Sequence, residues 1–584
     1  MKNFLFTPIA LALLLTGCAI NGSDGKVPSQ STALSSCSSM LQAFTFANTK
    51  LTSATDAPAG SATVAHKPIA AHCIVKGEMH RRVSPVDAQS YAIGFEMRLP
   101  SNWNGRFFHQ ANGGAAGVVI AATGPVGGGG AMDNALNQGF VVLSSDVGHG
   151  PRQNPSFGVD PQARVDNGYG ATQALTPMAK ALIRSAYGRT PDRSYMGGCS
   201  NGGRHAIVAA SRFGQDYDGF IIGDPGINLP LASVANIKGA QILASLATTP
   251  DVPAACDLAD GKADGKVAGA AGISACQAIL ETGLTLAERT TVTHAILAQC
   301  DALDGLRDGM VQDIAACQTT FELARDVPTC TGARNGSCLT SDQKLSVAQL
   351  FDGAPTSAGQ RIYARFPYDA GLNTKGWAEW KFGAPLNRDS GSAAMLFATP
   401  PETVAGFNGP SFALIGDVDR MLARVYATSP TYPEAAMSFM PPLDVTRFET
   451  VRHRGGKLIL YHGTSDPIFS SDDTTQWLNR LQAANGGDSS SFARLYPVPG
   501  MNHCSGGPST DQFDMLSPLV DWVERGKAPE RIIATARGVG NAGGVNSDVP
   551  ATWAIDRTRP LCPHPQVARY IGGDTEKATS FVCR

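Results

Sequence analysis

Residues 193–203 read RSYMGGCSNGG, and this stretch contains the pattern Gly-x-Ser-x-Gly, centred on Ser200. The residues before the pattern favour a strand, and residues 203–213 favour a helix. A strand, a tight turn and a helix in succession expose the serine hydroxyl at the edge of a sheet. The pattern alone is weak evidence, because glycine and serine are common in loops, so an ordinary flexible turn is the alternative.

Two later segments supply the partners that a serine nucleophile needs. Asp466 and His503 each follow an apolar, strand-like run. An aspartate can hold a histidine in the correct tautomer, and that histidine can take the proton of the serine. The chain order Ser, Asp, His is that of α/β-hydrolases. Two other histidines compete: His149 precedes the serine, and His462 lies at the end of the strand before Asp466.

The cysteines provide an independent reason to bring these segments together. Cys199 and Cys504 directly neighbour Ser200 and His503, so a hydrogen bond between hydroxyl and imidazole would place the two sulfurs close to each other. Of the 13 cysteines, all but Cys18 form an even set, which is typical of a disulfide-bonded exported protein. The predicted pairs are Cys199–Cys504 and, from local spacing, Cys37–Cys73, Cys256–Cys276, Cys300–Cys317, Cys330–Cys338 and Cys562–Cys583.

Strand-like runs alternate with helix-like stretches early and late in the chain, which predicts an α/β fold with a doubly wound sheet, the α/β-hydrolase fold. Asp466 lies 266 residues after Ser200, whereas a strand-helix-strand unit needs about 30 residues. We therefore expect a large inserted lid domain at residues 228–447, within a catalytic domain formed by residues 37–227 and 448–584. A second domain unrelated to the site is the alternative.

The beginning of the chain has the features of an export signal. An apolar run at residues 4–15 follows a lysine and is too short to span a bilayer. The motif LTGC, which ends at Cys18, resembles the bacterial lipobox, whose cysteine is lipidated after cleavage. We expect a lipoprotein-type signal peptide at residues 1–18, a polar tether at residues 19–36, and an outer-membrane lipoprotein. A periplasmic or secreted protein with an ordinary signal peptide is the alternative.

Composition narrows the classes of partner. Charged residues make up 16% of the chain and the formal net charge is −2, with no basic stripe or acidic tail. These values argue against nucleic acid as a partner. We expect a small-molecule substrate, contact with a membrane only through a lipid anchor, and a monomer.

A serine hydrolase also needs two backbone N–H groups that stabilise the oxyanion. One comes from the residue after the nucleophile, here Asn201, and the other from an early loop. The glycine-containing loop after the strand-like residues 106–110 is the candidate. Gly114 is the predicted donor and Gly113 the second choice, while a flexible glycine turn is the alternative.

Residues 301–310 place three carboxylates within eight positions, namely Asp301, Asp304 and Asp308, with glycines at positions 305 and 309. Hard oxygen ligands at short intervals suit calcium, with backbone carbonyls completing the shell. A disulfide between Cys300 and Cys317 would clamp this loop. The sequence therefore predicts a structural calcium ion in the lid, and a solvated acidic loop is the alternative.

Together these residues resemble the tannase and feruloyl esterase family of secreted α/β-hydrolases, from about Cys37 to the end of the chain. The resemblance is densest in residues 102–108, 197–203, 300–310, 498–525 and 558–569. It implies a carboxylic ester hydrolase with a Ser-His-Asp triad and an oxyanion hole formed by the residues named above. It also implies that calcium is bound by Asp301, Asp304 and Asp308 and by the carbonyls of Leu306 and Met310.

The resemblance extends to the substrate pocket of family members that cleave a monoester of terephthalate. It implies substrate-binding roles for Arg388, Trp380 and Phe469. Ser392 and Ala393 stand where those members have a Phe-Ser pair. A salt bridge from Arg388 to Asp389 or Glu379 is an alternative role for the arginine.

The sequence thus predicts an exported serine carboxylesterase that hydrolyses esters of aromatic carboxylic acids, with activity on a terephthalate monoester. A feruloyl esterase or tannase activity on plant phenolic esters is the alternative within the enzyme class. A non-catalytic lipoprotein that binds aromatic ligands is the alternative outside it.

Overall fold

The computed structural model describes Met1, Leu34, Ser36 and residues 37–115, 117–130, 132–259 and 270–584. The predicted signal peptide, the lipidation of Cys18 and nearly all of the predicted tether lie outside the described residues. Within the described part of the chain, no helix combines the length and the apolar character that a membrane span requires.

A nine-stranded mixed sheet lies at the centre of the fold, in the order β1-β2-β3-β5-β4-β6-β7-β8-β9. Strands β1, β2, β3 and β5 pair antiparallel, and the pairs from β5 through β4 to β9 are parallel. The strands are β1 (Thr49–Ala57), β2 (His72–Val83), β3 (Ser90–Pro100), β4 (Arg106–Gln110), β5 (Val141–Ser145), β6 (Arg193–Cys199), β7 (Gly219–Gly223), β8 (Lys457–Gly463) and β9 (Ala493–Val498).

Successive side chains of a strand point to opposite faces of the sheet, and in this sheet both faces are buried. Phe107 of β4 and Leu458 of β8 belong to one apolar core, whereas their neighbours Phe108 and Ile459 belong to another. The helices Ala171–Tyr187 and Ser471–Ala484 contribute to the first core and the helix Leu516–Arg525 to the second. The predicted α/β fold with a doubly wound sheet is therefore confirmed.

The helices that surround the sheet and fill the inserted segment are α1 (Met40–Ala43), α2 (Pro161–Val165), α3 (Ala171–Tyr187), α4 (Asn201–Arg212), α5 (Leu229–Leu246), α6 (Val252–Ala259), α7 (Ala270–Glu281), α8 (Leu286–Cys300), α9 (Ile314–Thr320), α10 (Leu323–Asp326), α11 (Ser341–Phe351), α12 (Lys375–Ala378), α13 (Gly409–Ile415), α14 (Val418–Val425), α15 (Ala436–Phe439), α16 (Glu449–His453), α17 (Ser471–Ala484) and α18 (Leu516–Arg525).

The chain leaves the sheet after β7 and returns to it at β8, which pairs directly with β7 through Tyr461 and Gly223. The described residues between these strands form helices and turns, with isolated bridges in place of strands. Their apolar core also includes Phe157 and Phe469, which lie outside residues 228–447. The inserted segment thus packs onto the residues around the end of the sheet, while its boundaries at 228 and 447 stay a prediction.

Beyond α18, two short antiparallel pairs close the chain: β10 (Ile532–Thr535) with β11 (Thr558–Leu561), and β12 (Ala568–Tyr570) with β13 (Phe581–Cys583). All six predicted disulfides are present. One of them, Cys562–Cys583, ties the end of the chain to the residue after β11.

Candidate active site

Ser200 lies on a strained turn between β6, which ends at Cys199, and α4, which begins at Asn201. Its backbone has φ 65° and ψ −128°, a conformation that non-glycine residues rarely adopt. The turn needs the glycines beside it: a Cβ at Gly198 or Gly202 would lie 2.1 or 2.2 Å from the carbonyl oxygen of Ala111. This geometry is that of a nucleophile elbow, which presents the serine side chain at the end of the strand.

The structure brings Ser200, His503 and Asp466 together. The Ser200 Oγ lies 2.7 Å from Nε2 of His503, and Nδ1 of the same ring lies 2.6 Å from Oδ2 of Asp466. Asp466 comes from the turn after β8 and His503 from the loop after β9, so both follow the carboxyl ends of neighbouring parallel strands. The three side chains therefore form a continuous hydrogen-bonded chain.

Asp466 is held in place from its other side as well. Its Oδ1 accepts hydrogen bonds from the backbone N–H groups of Ile468 and Phe469, at 2.9 and 3.0 Å. Burial acts to raise the pKa of Asp466, but His503 and His462 outweigh it and lower that pKa. The group beside the imidazole is thus a fixed carboxylate, which keeps the Nδ1–H tautomer of His503.

A disulfide joins the two loops behind the hydrogen-bonded chain. Cys199 and Cys504, the neighbours of Ser200 and His503, are bonded with a Cα–Cα distance of 6.0 Å. The bond links positions 305 residues apart in sequence. It restrains the separation between the serine turn and the histidine loop.

The two competing histidines do not contact Ser200. His149 is buried and stacks on Phe157 with 3.7 Å between ring centroids. His462 lies behind Asp466, where its Nε2 is 3.0 Å from the carbonyl oxygen of Phe469 and 3.4 Å from Oδ2 of Asp466. Neither ring can therefore take the proton of the serine hydroxyl.

A second carboxyl group, Asp224, lies beside Asp466 in the buried part of the site. It follows β7, and its Oδ1 accepts a hydrogen bond from the backbone N–H of Gly463 at 2.9 Å. Burial and the charge of Asp466 raise the pKa of Asp224 to about 7, against the opposing effects of His462 and His503. No sequence pattern marks this residue, since a lone aspartate after a strand carries no further signal.

The two predicted oxyanion residues contact each other next to Ser200. The side-chain Nδ2 of Asn201 donates a hydrogen bond to the carbonyl oxygen of Gly114, at 2.8 Å. Its Oδ1 accepts from the buried guanidinium of Arg204. Gly113 also lies close, since a Cβ there would be 3.5 Å from the Cβ of Ser200. The early glycine loop therefore approaches the serine turn, as the prediction requires.

Ser200 lines a cavity of about 230 Å³. Its walls come both from the part of the chain that forms the central sheet, called the sheet domain below, and from the inserted segment. Phe469 and Trp380 place their ring edges against His503, at centroid distances of 5.2 and 4.8 Å. The guanidinium of Arg388 lies over the Trp380 ring, 4.3 Å from its centroid. Among the described residues, no carboxylate lies within 4.0 Å of this guanidinium, so the alternative salt bridge to Asp389 or Glu379 is not formed.

Asp389 is a buried carboxyl group in the wall of the same cavity, next to Arg388. Its Oδ1 accepts a hydrogen bond from Ser233 at 3.1 Å, and its Oδ2 has no hydrogen-bond partner in the described chain. Burial raises the pKa of Asp389 to about 7, although Ser233, Lys381 and Arg388 oppose that shift. The cavity thus contains one permanent cation and one carboxyl group that titrates near neutral pH.

A larger open groove of about 670 Å³ lies next to the acidic loop and does not reach Ser200. In that loop, the Asp301 carboxylate accepts hydrogen bonds from the backbone of Asp308 and Gly309, and Asp308 contacts Arg559. Oδ2 of Asp304 is buried and lacks a hydrogen-bond partner among the described residues. Burial, then Asp308 and Asp301, raise the pKa of Asp304 to about 7.

These features fit a hard cation by donor chemistry, because an orphaned buried carboxylate oxygen stands beside further carboxylates. Two observations argue against a bound cation. Arg559 already supplies a positive charge at Asp308, and the oxygens of the three carboxylates do not all lie within 4.8 Å of one another in the described chain.

Comparisons with known proteins identify the family of the chain. A family model described as tannase and feruloyl esterase matches residues 73–279 and 275–584. The mono(2-hydroxyethyl) terephthalate hydrolase of Piscinibacter sakaiensis is 38% identical over 559 residues, covering 90% of this chain and 87% of the relative. A probable feruloyl esterase B-1 of Aspergillus fumigatus is 28% identical over 504 residues, covering 82% of this chain and 80% of the relative.

Solved structures show the same fold. Feruloyl esterase B from Aspergillus oryzae superposes with a TM-score of 0.70 at 24% identity, covering 94% of this chain and 99% of that one. Tannin acyl hydrolase from Aspergillus niger superposes with a TM-score of 0.62 at 18% identity, covering 95% and 94%. The chain belongs to the tannase and feruloyl esterase family.

Proposed function

We propose that this member of the tannase and feruloyl esterase family is an exported serine carboxylesterase that hydrolyses esters of aromatic carboxylic acids through an acyl-enzyme. The observation that carries the proposal is the chain of two short hydrogen bonds from Ser200 through His503 to Asp466. It ends at a cavity that aromatic rings line. The match to a relative that is named as a hydrolase of a terephthalate ester supports the same conclusion.

In the first half of the reaction, Ser200 Oγ attacks the ester carbonyl carbon while His503 Nε2 takes the hydroxyl proton. Asp466 stabilises the imidazolium that forms and keeps its ring oriented. The carbonyl oxygen becomes an oxyanion, which the backbone N–H groups of Asn201 and Gly114 would stabilise. His503 then gives its proton to the oxygen of the leaving alcohol, and the C–O bond to that alcohol breaks.

The second half repeats the same steps with water as the nucleophile. His503 Nε2 takes a proton from water, which attacks the acyl-enzyme carbonyl and forms a second oxyanion. When this intermediate collapses, the bond to Ser200 Oγ breaks, and His503 returns the proton to the serine. The products are the free aromatic acid and the alcohol, and the enzyme regains its initial state.

For the substrate, we propose an aromatic ester that carries a second, free carboxylate, such as mono(2-hydroxyethyl) terephthalate. Phe469 and Trp380 offer faces and edges for an aromatic ring, and Arg388 is a cation with no carboxylate partner among the described residues. An arginine fork binds a carboxylate in a defined orientation. Feruloyl or galloyl esters are the second candidate, which the similarity to feruloyl esterases supports.

The deciding experiment measures hydrolysis of a chromogenic aryl ester by the wild-type protein and by Ser200→Ala. We expect a loss of about 10,000-fold in the variant, because the nucleophile is removed. Ser245→Ala, at a position outside the cavity lining, is the matched control and should keep wild-type activity. Equal, slow hydrolysis by all three proteins would instead support the non-catalytic ligand-binding protein.

A substrate panel separates the two candidate activities. Arg388→Ala should lower kcat/KM for mono(2-hydroxyethyl) terephthalate by about ten-fold or more, since a charge-assisted pair is lost. The same change should leave methyl ferulate turnover within about two-fold. A higher kcat/KM of the wild-type protein for methyl ferulate than for the terephthalate monoester would favour the second candidate.

We also propose that the acidic loop binds a structural calcium ion and that the protein is exported. Asp301, Asp304 and Asp308 would hold the ion together with the carbonyls of Leu306 and Met310, and a bound cation would neutralise the buried carboxylates of the loop. Six disulfides fit an oxidising compartment. Lipidation of Cys18 and anchoring in the outer membrane remain part of this proposal.

A further inference from the structure

A short turn of the inserted segment, residues 369–374, contacts both loops that carry the partners of Ser200. We propose that Asp369 in this turn is a positioning residue, which fixes the loops of Asp466 and His503 relative to each other. The proposal rests on the proposed esterase function. Asp369 itself does not touch Ser200 or the cavity that the substrate would occupy.

The Asp369 carboxylate is completely buried and lies where the two loops meet. Its Oδ2 accepts hydrogen bonds from the hydroxyls of Thr464 and Ser465, at 2.5 and 2.9 Å. The same oxygen accepts from the backbone N–H of Gly500, at 2.9 Å. Thr464 and Ser465 directly precede Asp466, and Gly500 lies three residues before His503. One carboxylate oxygen therefore joins the two loops.

The rest of the turn forms hydrogen bonds with Ser465 and Asn502, the residues directly before Asp466 and His503. The backbone N–H of Gly371 donates to the Ser465 hydroxyl at 2.9 Å. The side-chain Nδ2 of Asn502 donates to the Thr374 hydroxyl at 2.6 Å, and that hydroxyl donates to the Gly371 carbonyl at 2.8 Å. The residues immediately before Asp466 and His503 are thus both held by this one turn of the inserted segment.

Backbone hydrogen bonds already link the two loops, from the Ser465 N–H to the Met501 carbonyl at 3.0 Å for example, and Asp369 adds a buried acceptor that both loops share. Hydrogen bonds to an ionised acceptor are roughly twice as strong as neutral ones, and here several converge on one buried group. A displacement of about 1 Å between reacting groups can reduce a rate about a hundred-fold. The Cys199–Cys504 disulfide restrains the histidine loop relative to Ser200, while Asp369 restrains it relative to Asp466.

The inserted segment thereby has a second role besides covering the substrate. A segment that only covered the substrate could open without changing the triad. Here, separation of the 369–374 turn from the sheet domain would break the hydrogen bonds that Asp369, Gly371 and Thr374 form with both loops. The part of the inserted segment around Asp369 is therefore a fixed component of the active site.

The test compares wild type, Asp369→Asn and a matched control, Asp473→Asn, in steady-state kinetics. An amide at position 369 has no negative charge. Its NH2 group must face a group that donates a hydrogen bond to the carboxylate, and that hydrogen bond is lost. We expect kcat to fall at least about ten-fold, while KM changes by less than about two-fold. The rate at which an organophosphonate labels Ser200 should fall in parallel, since it reports activation of the hydroxyl by His503.

Asp473 is a suitable control because it is also buried and also joins the inserted segment to the sheet domain. It accepts hydrogen bonds from Tyr363 at 3.1 Å and from the side chain of Asn228 at 2.7 Å. None of these bonds reaches the turn at 463–466 or the loop at 499–503. We expect Asp473→Asn to lower the unfolding temperature but to keep kcat within about two-fold below that temperature.

A second variant covers the case in which Asp369→Asn does not fold. Thr374→Val keeps the shape of the side chain but removes the oxygen that accepts from Asn502 and from the Trp377 backbone N–H at the start of α12. We expect a loss in kcat of about three- to ten-fold, again with little change in KM.

A kcat for Asp369→Asn within two-fold of wild type, or equal to that of Asp473→Asn, would overturn the positioning role. If Asp369→Asn does not fold, an unchanged kcat in Thr374→Val would overturn the positioning role. Ser200→Ala is assayed in the same series. A wild type that hydrolyses no ester would overturn the proposed function and this inference together, whereas an active wild type isolates the inference.

Discussion

The sheet domain and the inserted segment contribute different kinds of residue to the site. The sheet domain supplies every group in the proposed chemistry, because Ser200, Asp466 and His503 all follow strands β6, β8 and β9. The inserted segment supplies walls and supports, among them Trp380, Arg388 and the 369–374 turn. The reacting groups therefore lie on loops at the ends of the central strands, and the mainly helical inserted segment completes the pocket for the substrate.

The largest expected effect tests the chemistry of the sheet domain. In Asp466→Asn, the remaining oxygen must still accept from the N–H groups of Ile468 and Phe469. The new NH2 group would then face His503 Nδ1 and force the ring proton onto Nε2, which could no longer accept the serine proton. We expect kcat to fall by about 1,000- to 10,000-fold. The measurement is steady-state hydrolysis of an aryl ester.

Asp472→Asn is the control for that variant, since this carboxyl group is close in sequence but outside the hydrogen-bonded chain. It should keep activity within about two-fold. A retained wild-type rate in Asp466→Asn would mean that Asp466 does not orient His503, and another group, such as Asp224, would have to be tested.

The second expected effect tests how the sheet domain holds its own loops. Replacing both cysteines, in Cys199→Ser/Cys504→Ser, should lower kcat by roughly 10- to 100-fold, because His503 gains freedom relative to Ser200. The free energy of unfolding should also fall, by about 2–4 kcal/mol. The matched control is Cys562→Ser/Cys583→Ser, which should lose stability but keep kcat. Equal activity losses in the two double variants would contradict a special role for the first bond.

The same division explains how far the sequence alone could go. Residues 106–110 are predicted as a strand and form β4 with those bounds, because a short run that contains two phenylalanines and is buried on both faces favours a strand. Ser200, Asp466 and His503 were found because their order, their strand contexts and the adjacent cysteines constrain one another. The sequence does not predict β1 and β2, because charged residues interrupt their apolar positions; β1 lies at the edge of the sheet and β2 between β1 and β3.

Within the inserted segment, cysteine spacing predicts three disulfides correctly, but no pattern identifies the residues near the site. Arg388 and Trp380 could be named only through resemblance to a family, because their helical turns, Glu379–Gly383 and Pro385–Asp389, have an irregular period. No feature of the sequence around Asp369 indicates a role in the site. Its burial and its bonds depend on two loops more than 90 residues later in the chain, and such long-range contacts leave no local trace in a single sequence.

The third expected effect tests whether the inserted segment carries its own stabilising ion. Adding calcium to EDTA-treated protein should raise the free energy of unfolding by about 2–3 kcal/mol at an ion concentration about a hundred times the dissociation constant. Thermal unfolding would detect the change without any measurement of activity. Asp304→Asn should abolish the response, while Asp342→Asn, on helix α11, should keep it. An equal unfolding temperature with EDTA and with calcium would contradict the calcium proposal.

The smallest expected effect tests whether the inserted segment sets substrate preference through charge. Because the pKa of Asp389 is raised to about 7, this carboxyl group is neutral below that pH and negative above it. A negative Asp389 offsets the attraction of Arg388 for a carboxylate on the substrate. One nearby charge in a partly solvated site changes binding by about 1 kcal/mol, or about five-fold. The preference for a carboxylate-bearing ester should therefore decrease as pH rises from about 6 to about 8.5.

The measurement is the ratio of kcat/KM for a terephthalate monoester to kcat/KM for a neutral ester of the same ring. Titration of the triad affects both substrates and cancels in that ratio. The ratio should fall about five-fold over this pH range in wild type and stay constant in Asp389→Asn, which has no titrating group there. An identical decline in the variant would assign the effect to a different group. A constant ratio in wild type would mean that Asp389 does not act on the charge of the substrate.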